Sequence, residues 1–140
     1  MPAEKILCAT DGSAPSGKAV TYAVRQALEM KLQLTFIAVA GDAAQIVVWD
    51  RDRIKSGNLP VDKHLAAAMN VAMKAGVTQV ACVRAGGSDI AGAIVDYAEA
   101  NSYHHIVCGS AGRTGAARLL IGSVAADIVT KAHCPVTVVR

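Results

Sequence analysis

Residues Cys108–Val129 read C-G-S-A-G-R-T-G-A-A-R-L-L-I-G-S-V-A-A-D-I-V, a segment with regularly placed glycines. Gly109 is followed after two residues by Gly112, and after nine more by Gly122 and Ser123. A short apolar run precedes the segment and apolar residues at helical spacing follow it, which predicts a strand, a loop and a helix start. Glycines let main-chain N–H groups approach an anion, and a helix N-terminus adds a favourable dipole. This order is typical of a loop that binds phosphate groups.

Neither of the two commonest phosphate motifs accounts for this loop. A P-loop requires a Gly-Lys-Ser/Thr sequence, and no lysine occurs between Lys74 and Lys131. The dinucleotide fingerprint G-x-G-x-x-G does not follow the first strand pattern. On the residues alone, the alternative therefore stays open that Gly109 and Gly112 only form a turn and that Ser123 only caps the last helix.

The composition predicts one domain over residues 1–140, with a core of small aliphatic side chains. The chain has 140 residues, 53% hydrophobic but only 4% aromatic, and a formal net charge of +3. Lysine and arginine are scattered, which does not suggest a nucleic-acid surface. No signal-peptide pattern opens the sequence, and no apolar run approaches the roughly 18 residues of a membrane span. We therefore expect a cytoplasmic protein that binds neither nucleic acid nor membrane.

The cysteines predict buried, reduced thiols rather than disulfides or a metal site. The chain has four of them, none in a C-x-x-C pair. Each lies in or beside an apolar run, as cysteines packed in a core do. They are Cys8, Cys82, Cys108 and Cys134.

Strand and helix patterns alternate along the chain, which favours a parallel, doubly wound α/β sheet with helices on both faces. Helices are expected after about Pro15, over about Val61–Ala75, after Ser88 or Asp89, and after the glycine segment. Residues 42–60 are harder to interpret and fit a short peripheral helix or a flap. Right-handed crossovers permit a few strand orders, 3-2-1-4-5 among them. The five predicted strands are Glu4–Thr10, Gln33–Val39, Thr78–Arg84, His104–Cys108 and Pro135–Val139.

A doubly wound sheet binds its ligands at the carboxyl ends of the strands, where the strand order reverses. In the order 3-2-1-4-5, this point lies between strands one and four, so that Asp11 and Gly109 face each other. A carboxylate would repel phosphates, so Asp11 is better suited to a Mg²⁺ ion or a ribose hydroxyl. Its alternative role is to form the turn or to cap the first helix.

Four segments resemble the universal stress protein family: K-I-L-C-A-T-D-G-S from Lys5, G-S-A-G-R-T-G from Gly109, L-L-I-G-S-V-A from Leu119 and C-P-V-T-V-V-R from Cys134. The spacing G-x2-G-x9-G-S resembles the signature of the ATP-binding subgroup. The resemblance covers essentially the whole chain. It implies a five-stranded sheet of order 3-2-1-4-5, of the adenine nucleotide alpha hydrolase-like type, and ATP (or AMP or ADP) bound with Mg²⁺ or Mn²⁺.

By the same resemblance, the nucleotide site is formed by the ends of strands one, two and four and by the start of the last helix. Asp11 would lie near the ribose or the metal ion. Ala111 stands where the family often has His or Arg, and the end of strand two lacks a polar residue. Arg113 and Arg118 could each neutralise phosphate charge. The implied site residues are Ala9, Thr10, Asp11, Ala38, Val39, Gly109, Ser110, Gly112, Arg113, Gly122, Ser123 and Val124.

Catalysis is expected to be slow or nil, because hydrolysis needs a group that orients water at the γ-phosphate. His104 and His105 begin strand four at the end away from the site, and His133 follows the last helix. His64 is expected on a peripheral helix. No histidine is thus predicted at the site.

Three functions fit the sequence. The first is an ATP-binding regulatory module in a stress response. The second is a weak ATPase or self-phosphorylating protein, with Ser13, Ser123 or Thr114 as acceptors. The third is a dimeric interaction protein without nucleotide, which the complete glycine signature disfavours. A valine-rich edge strand, Pro135–Val139, also predicts a homodimer.

Overall fold

The computed structural model describes residues 4–41, 46–58, 60, 62–111 and 121–140. Strands and helices alternate along most of this part of the chain, as the sequence predicts. The strands are β1 Lys5–Ala9, β2 Gln33–Ala40, β3 Val47–Asp50, β4 Val80–Gly86, β5 His105–Gly109 and β6 Val136–Val139. The helices are α1 Ala14–Met30, α2 Arg51–Lys55, α3 Lys63–Ala75, α4 Ile90–Ala100 and α5 Ser123–Lys131.

The strands form one sheet in the order β3-β4-β2-β1-β5-β6. β4, β2, β1, β5 and β6 are parallel to one another, and β3 pairs antiparallel with β4. Without β3, this is the predicted order 3-2-1-4-5, so the doubly wound topology is confirmed. The predicted number of strands was five, and the structure adds a sixth at one edge.

A short peripheral helix or a flap is the expectation for residues 42–60; the short helix α2, which has no buried residue, is found there, and the sixth strand is what the sequence did not predict. Within the described residues 46–58, a strand precedes a short helix. Trp49 pairs with Cys82 and is only 5% exposed, because it joins the core below the sheet edge. The side chain of Asp50 accepts a hydrogen bond from Arg53 N at 2.8 Å and so caps α2. An apolar run followed by a cap thus produces a strand and then a helix.

The core has two layers, one on each face of the sheet. One lies under α1 and α3, and the other lies between the sheet and α4 and α5. The apolar face of α1 is buried at Ala19, Val20, Ala23, Val24 and Ala27, whereas Leu28 is 42% exposed. Of the apolar residues whose helical spacing predicts α5, Ile128 is buried and Ala132 packs against the core, while Val124 and Val129 are exposed. α5 packs chiefly against α4, so only a narrow stripe of it is covered.

Side chains cap most helices, with one correction. Ser13 caps α1, Asp62 caps α3 and Asp89 caps α4. Ser123 does not cap α5 but is its first residue, since Gly122 has the extended backbone of the cap. The third helix begins at the residue after Asp62, two positions later than predicted.

All four cysteines are free, as expected, and three of them are buried. Burial raises the pKa of Cys82 to about 12 and that of Cys108 to about 11. Burial also raises the pKa of Cys8. These thiols are therefore protonated at neutral pH, and their role is to pack. Among the helices described, none is long and apolar enough to cross a membrane.

Candidate functional site

The strand order reverses between β1 and β5, which are neighbours in the sheet with Cys8 opposite Val107. The chain runs from β1 outward through β2 and β4, and then returns to β5 on the other side. The residues that follow β1 and β5 therefore meet at one edge of the sheet. We call the space bounded by Asp11–Ser13, Gly109–Ala111 and the start of α5 the crevice. Its position agrees with the switch point predicted from the sequence.

The turn after β1 forms one wall of the crevice. The amide of Ser13 donates to Asp11 Oδ1 at 2.9 Å, and Ser13 Oγ accepts from Ser16 N at 3.3 Å. Asp11 therefore has the turn-forming role that the sequence left open. Its carboxyl group is nevertheless only half-buried, at the mouth of the crevice. Thr10, by contrast, is 8% exposed, and its side chain lies 3.5 Å from Ser16 Oγ.

Gly109 forms the opposite wall and has a packing reason to be glycine. A Cβ atom at this position would lie 2.6 Å from the carbonyl carbon of Pro15 and 2.9 Å from Ser16 N. Because both contacts are with backbone atoms, no side-chain movement could relieve them. The end of β5 and the start of α1 can approach this closely only without a side chain. Gly109, one glycine of the signature, thus allows the end of β5 to pack closely against the start of α1 beneath the crevice.

The start of α5 is attached to the end of β5. The amide of Gly122 donates to the carbonyl of Ser110 at 2.7 Å, and the amide of Ser110 donates to Val139 O at 2.9 Å. The amides of Gly122 and Ser110 therefore already donate hydrogen bonds within the protein. Ser123 and Val124 lie in the first turn of α5, where amides have no acceptor inside the helix. No side chain of the described residues caps them. This helix start presents N–H groups and a favourable dipole to an anion.

The end of β2 lies beside β1, with Ile37 opposite Ala9. Ala38 is 6% exposed and packs in the layer under α1 and α3, whereas Val39 is half-buried and packs against the other layer. Their side chains therefore lie on opposite faces of the sheet at the end of β2. The predicted residues that meet around the crevice are Ala9, Thr10, Asp11, Ala38, Val39, Gly109, Ser110, Gly122, Ser123 and Val124; Gly112 and Arg113, with Thr114 and Arg118, lie outside the described residues.

Asp11 is the residue predicted to hold a metal ion. In the described ranges, no group of three or more His, Cys, Asp or Glu side chains could hold one.

His64 is the residue that the sequence analysis missed. Its imidazole ring fills the space that a side chain on Gly12 would occupy, with Cγ 2.8 Å from the Cβ position. The prediction that His64 is peripheral is therefore wrong. His104 and His105 do lie at the opposite end, since His104 Nδ1 accepts from the amide of Lys5, at the start of β1, at 2.9 Å.

A general signal could have identified His64. In a parallel α/β sheet, the helix that leads into a parallel strand begins at the end of the sheet where the preceding parallel strand finishes, and α3 leads into β4 from the end where β2 finishes. Polar residues in the first turn of a helix should therefore be examined as crevice residues, even where the loop before the helix cannot be interpreted.

The universal stress protein family matches the sequence over residues 2–140. Universal stress protein MJ0531 of Methanocaldococcus jannaschii is 49% identical over 47 residues, which cover 34% of this chain and 28% of that protein. Universal stress protein YxiE of Bacillus subtilis is 29% identical over 150 residues, covering 97% of this chain and 98% of that protein.

Solved structures share the fold. A universal stress protein in complex with cAMP has a TM-score of 0.72 and 24% identity, with 100% of this chain and 98% of that chain covered. The universal stress protein from Archaeoglobus fulgidus in complex with dAMP has a TM-score of 0.68 and 19% identity, with 99% and 98% covered. At these identities, the likeness concerns the fold.

Proposed function

The chain belongs to the universal stress protein family, and on that premise we propose that it is an ATP-binding regulatory module whose nucleotide lies in the crevice. One observation carries the proposal: the Asp11 turn, the end of β5 and the exposed start of α5 meet where the strand order reverses. Two proteins of the same fold are known in complex with cAMP and with dAMP. Both ligands are adenine nucleotides, which supports the same ligand class here.

The geometry suggests how the nucleotide would be oriented. The amides of Ser123 and Val124 suit the phosphate groups, because the N-terminus of a helix favours negative charge. The apolar end of β2 at Ala38 and Val39 suits the adenine ring. Asp11, between these two regions, would then lie beside the ribose or the bridging cation.

A cation is compatible with this arrangement. Asp11 supplies carboxylate oxygens at the crevice, and one of them, Oδ1, accepts from Ser13 N. Mg²⁺ and Mn²⁺ prefer oxygen ligands and are usually held by one or two carboxylates together with phosphate oxygens and water. Asp11 would be the protein ligand, and the cation would offset the repulsion between this carboxylate and the phosphates.

Self-phosphorylation is a second candidate, and the position of Ser123 favours it. Ser123 is exposed in the first turn of α5 and does not cap the helix. Ser13, another possible acceptor, is half-buried and binds Ser16 N through its hydroxyl. Mass spectrometry after incubation with MgATP tests this candidate, and a phosphate group on Ser123 would support it. Wild-type protein that stays unmodified would exclude it.

We further propose that the protein is a cytoplasmic homodimer that pairs through β6. Support for pairing comes from the position of β6, the last strand at its end of the sheet among the described residues. All four of its residues are only partly buried. An edge strand rich in valine is a template for pairing with a second copy.

The nucleotide content of the purified protein tests the main proposal. Nucleotide released by acid should be identified by ion-exchange chromatography, and binding of added MgATP should be measured by calorimetry. Gly122→Val is the test variant, since φ −63° and ψ 159° at this position are accessible to valine and only bulk is added at the helix start. Ala126→Val, at an exposed position of α5, is the matched control.

The proposal expects ATP in the wild type and in Ala126→Val but not in Gly122→Val. A mixture of ADP and AMP with ATP would indicate slow turnover. Wild-type protein that contains no nucleotide and does not bind MgATP would refute the proposal, and the dimeric interaction protein would become the leading interpretation.

A further inference from the structure

The contact between His64 and Gly12 joins α3 to the turn that carries Asp11. Gly12 has φ +80°, in the left-handed region, and a side chain at this position would overlap the imidazole ring. Glycine has no side chain of its own with which to fix such a turn, and it loses more conformational freedom on folding than any other residue. The ring of His64 occupies the place where that missing side chain would be.

His64 is itself held firmly. Asp62 Oδ1 accepts from the amide of His64 at 2.8 Å and from that of Leu65 at 3.1 Å. The next side chain, Leu65, is 0% exposed and belongs to the core layer between α3 and the sheet. The backbone at His64 is therefore fixed by a cap on one side and by a buried anchor on the other. The ring of His64 therefore contacts Gly12 from a helix whose position is fixed by packing.

We propose that His64 is a positioning residue of the nucleotide site: by packing against Gly12 it holds the turn Asp11–Ser13 in the conformation that places the Asp11 carboxylate at the crevice. The part of this inference that concerns nucleotide binding rests on the proposed function. The part that concerns the turn rests on the contact alone. The flat ring makes this contact, so a ring of similar shape without nitrogen atoms tests whether packing alone performs the task.

The experiment compares His64→Ala and His64→Phe with the wild type. His133→Ala is the matched control, because His133 is an exposed histidine paired with Glu99 at 3.4 Å, outside the crevice. Hydrogen exchange at the amide of Ser13 reports the turn, since this amide is bonded to Asp11 Oδ1. Calorimetric titration with MgATP reports the site, and urea unfolding identifies any variant that has lost its fold.

We expect His64→Ala to accelerate exchange at Ser13 by about tenfold and to weaken MgATP binding by about tenfold. His64→Phe should restore both quantities to within about twofold of the wild type. His133→Ala should leave both unchanged. The inference is overturned if His64→Ala matches the wild type in exchange, or if His64→Phe is as impaired as His64→Ala.

The two proposals fail separately. If the wild type binds MgATP, Gly122→Val does not, and His64→Ala binds like the wild type, the nucleotide site stands and the role of His64 is refuted. If the wild type binds no nucleotide at all, the proposed function is refuted. The exchange rate at Ser13 still decides whether His64 positions the turn.

Discussion

The backbone of Gly109 at the end of β5 lies directly against the backbone of Pro15 at the start of α1. A Cβ atom on Gly109 would be 2.6 Å from the carbonyl carbon and 2.7 Å from the carbonyl oxygen of Pro15. This contact fixes the separation between the two walls of the crevice. A ligand that needs both walls depends on it, even if it never touches Gly109.

Gly109→Ala should lower the free energy of unfolding by about 2 kcal/mol, the usual effect of forcing extra volume into packed structure. The matched control is Gly17→Ala in α1, where an added Cβ would meet nothing within 4 Å. Gly17→Ala should raise the free energy of unfolding by about 0.5–1 kcal/mol, because alanine has a higher helix propensity than glycine. Urea unfolding measures both values. Equal stabilities of the two variants would contradict this account of Gly109.

Asp11→Asn separates the charge of Asp11 from its role in the turn. The asparagine oxygen can still accept from Ser13 N, so stability should change by less than about 0.5 kcal/mol. ATP affinity in the presence of Mg²⁺ should fall by about tenfold or more, while affinity in EDTA should change little or rise. Calorimetric titrations with and without the cation provide the measurement. If Mg²⁺ raises the ATP affinity of the variant as much as that of the wild type, Asp11 is excluded as a metal ligand.

If the protein pairs through β6, as we propose, Val138→Pro should give a folded monomer where the wild type is a dimer. The carbonyl of Pro135 accepts from Ile106 N, and that of Val139 accepts from Ser110 N. Since main-chain groups alternate in direction along a strand, the N–H of Val138 points away from β5, and proline removes this outward donor alone. Val138→Thr keeps the donor and is the control. Sedimentation velocity at micromolar concentration should show a monomer for the proline variant only; a monomeric wild type would refute pairing through β6.

Tyr103 should make the fold sensitive to alkali. Its hydroxyl donates to Thr35 Oγ1 at 2.8 Å, and burial raises the pKa of Tyr103 to about 12 from an ordinary 10.0. The stability that this group contributes is therefore complete below pH 10 and is lost as the pH rises toward 12.

Tyr103→Phe should reduce the slope of unfolding free energy against pH in this range. The slope should not vanish, because the pKa values of Cys82 and Cys108 are also raised. Urea midpoints between pH 8 and pH 11 give the slope for each protein. Identical slopes for the wild type and the variant would refute the assignment. At neutral pH, Tyr103→Phe should also lower the free energy of unfolding by about 1 kcal/mol, since the Thr35 hydroxyl loses its hydrogen-bond partner.

The parallel sheet and the crevice could be predicted because each depends on patterns that are local in the sequence. Apolar runs ended by Asp11 and Gly109 mark strands that finish in turns. The alternation of strand and helix then restricts the topology to a few orders. Once β1 and β5 are neighbours, the meeting of the two turns follows from geometry alone.

What could not be predicted depends on contacts between distant parts of the chain. β3 has four residues, and only its pairing with β4 distinguishes it from a loop. Charged residues follow Trp49 directly in the sequence, yet Trp49 itself is buried. His64 lies 52 positions after Gly12 in the sequence, and nothing near either residue indicates that they touch. The contact between Gly109 and Pro15 likewise joins residues that are far apart in the sequence.

The two ends of the sheet differ in a way that limits how copies of this protein can assemble. β3 is followed at once by alternating charges, and Arg53 donates to the backbone carbonyl of Val48 and packs over Trp49. Charged side chains at an edge discourage further strand pairing. β6 carries valine at three of its four positions and is followed by Arg140. If copies pair through β6, as we propose, and the charged edge at β3 stays unpaired, assembly stops at a closed twofold pair and does not grow into a fibre.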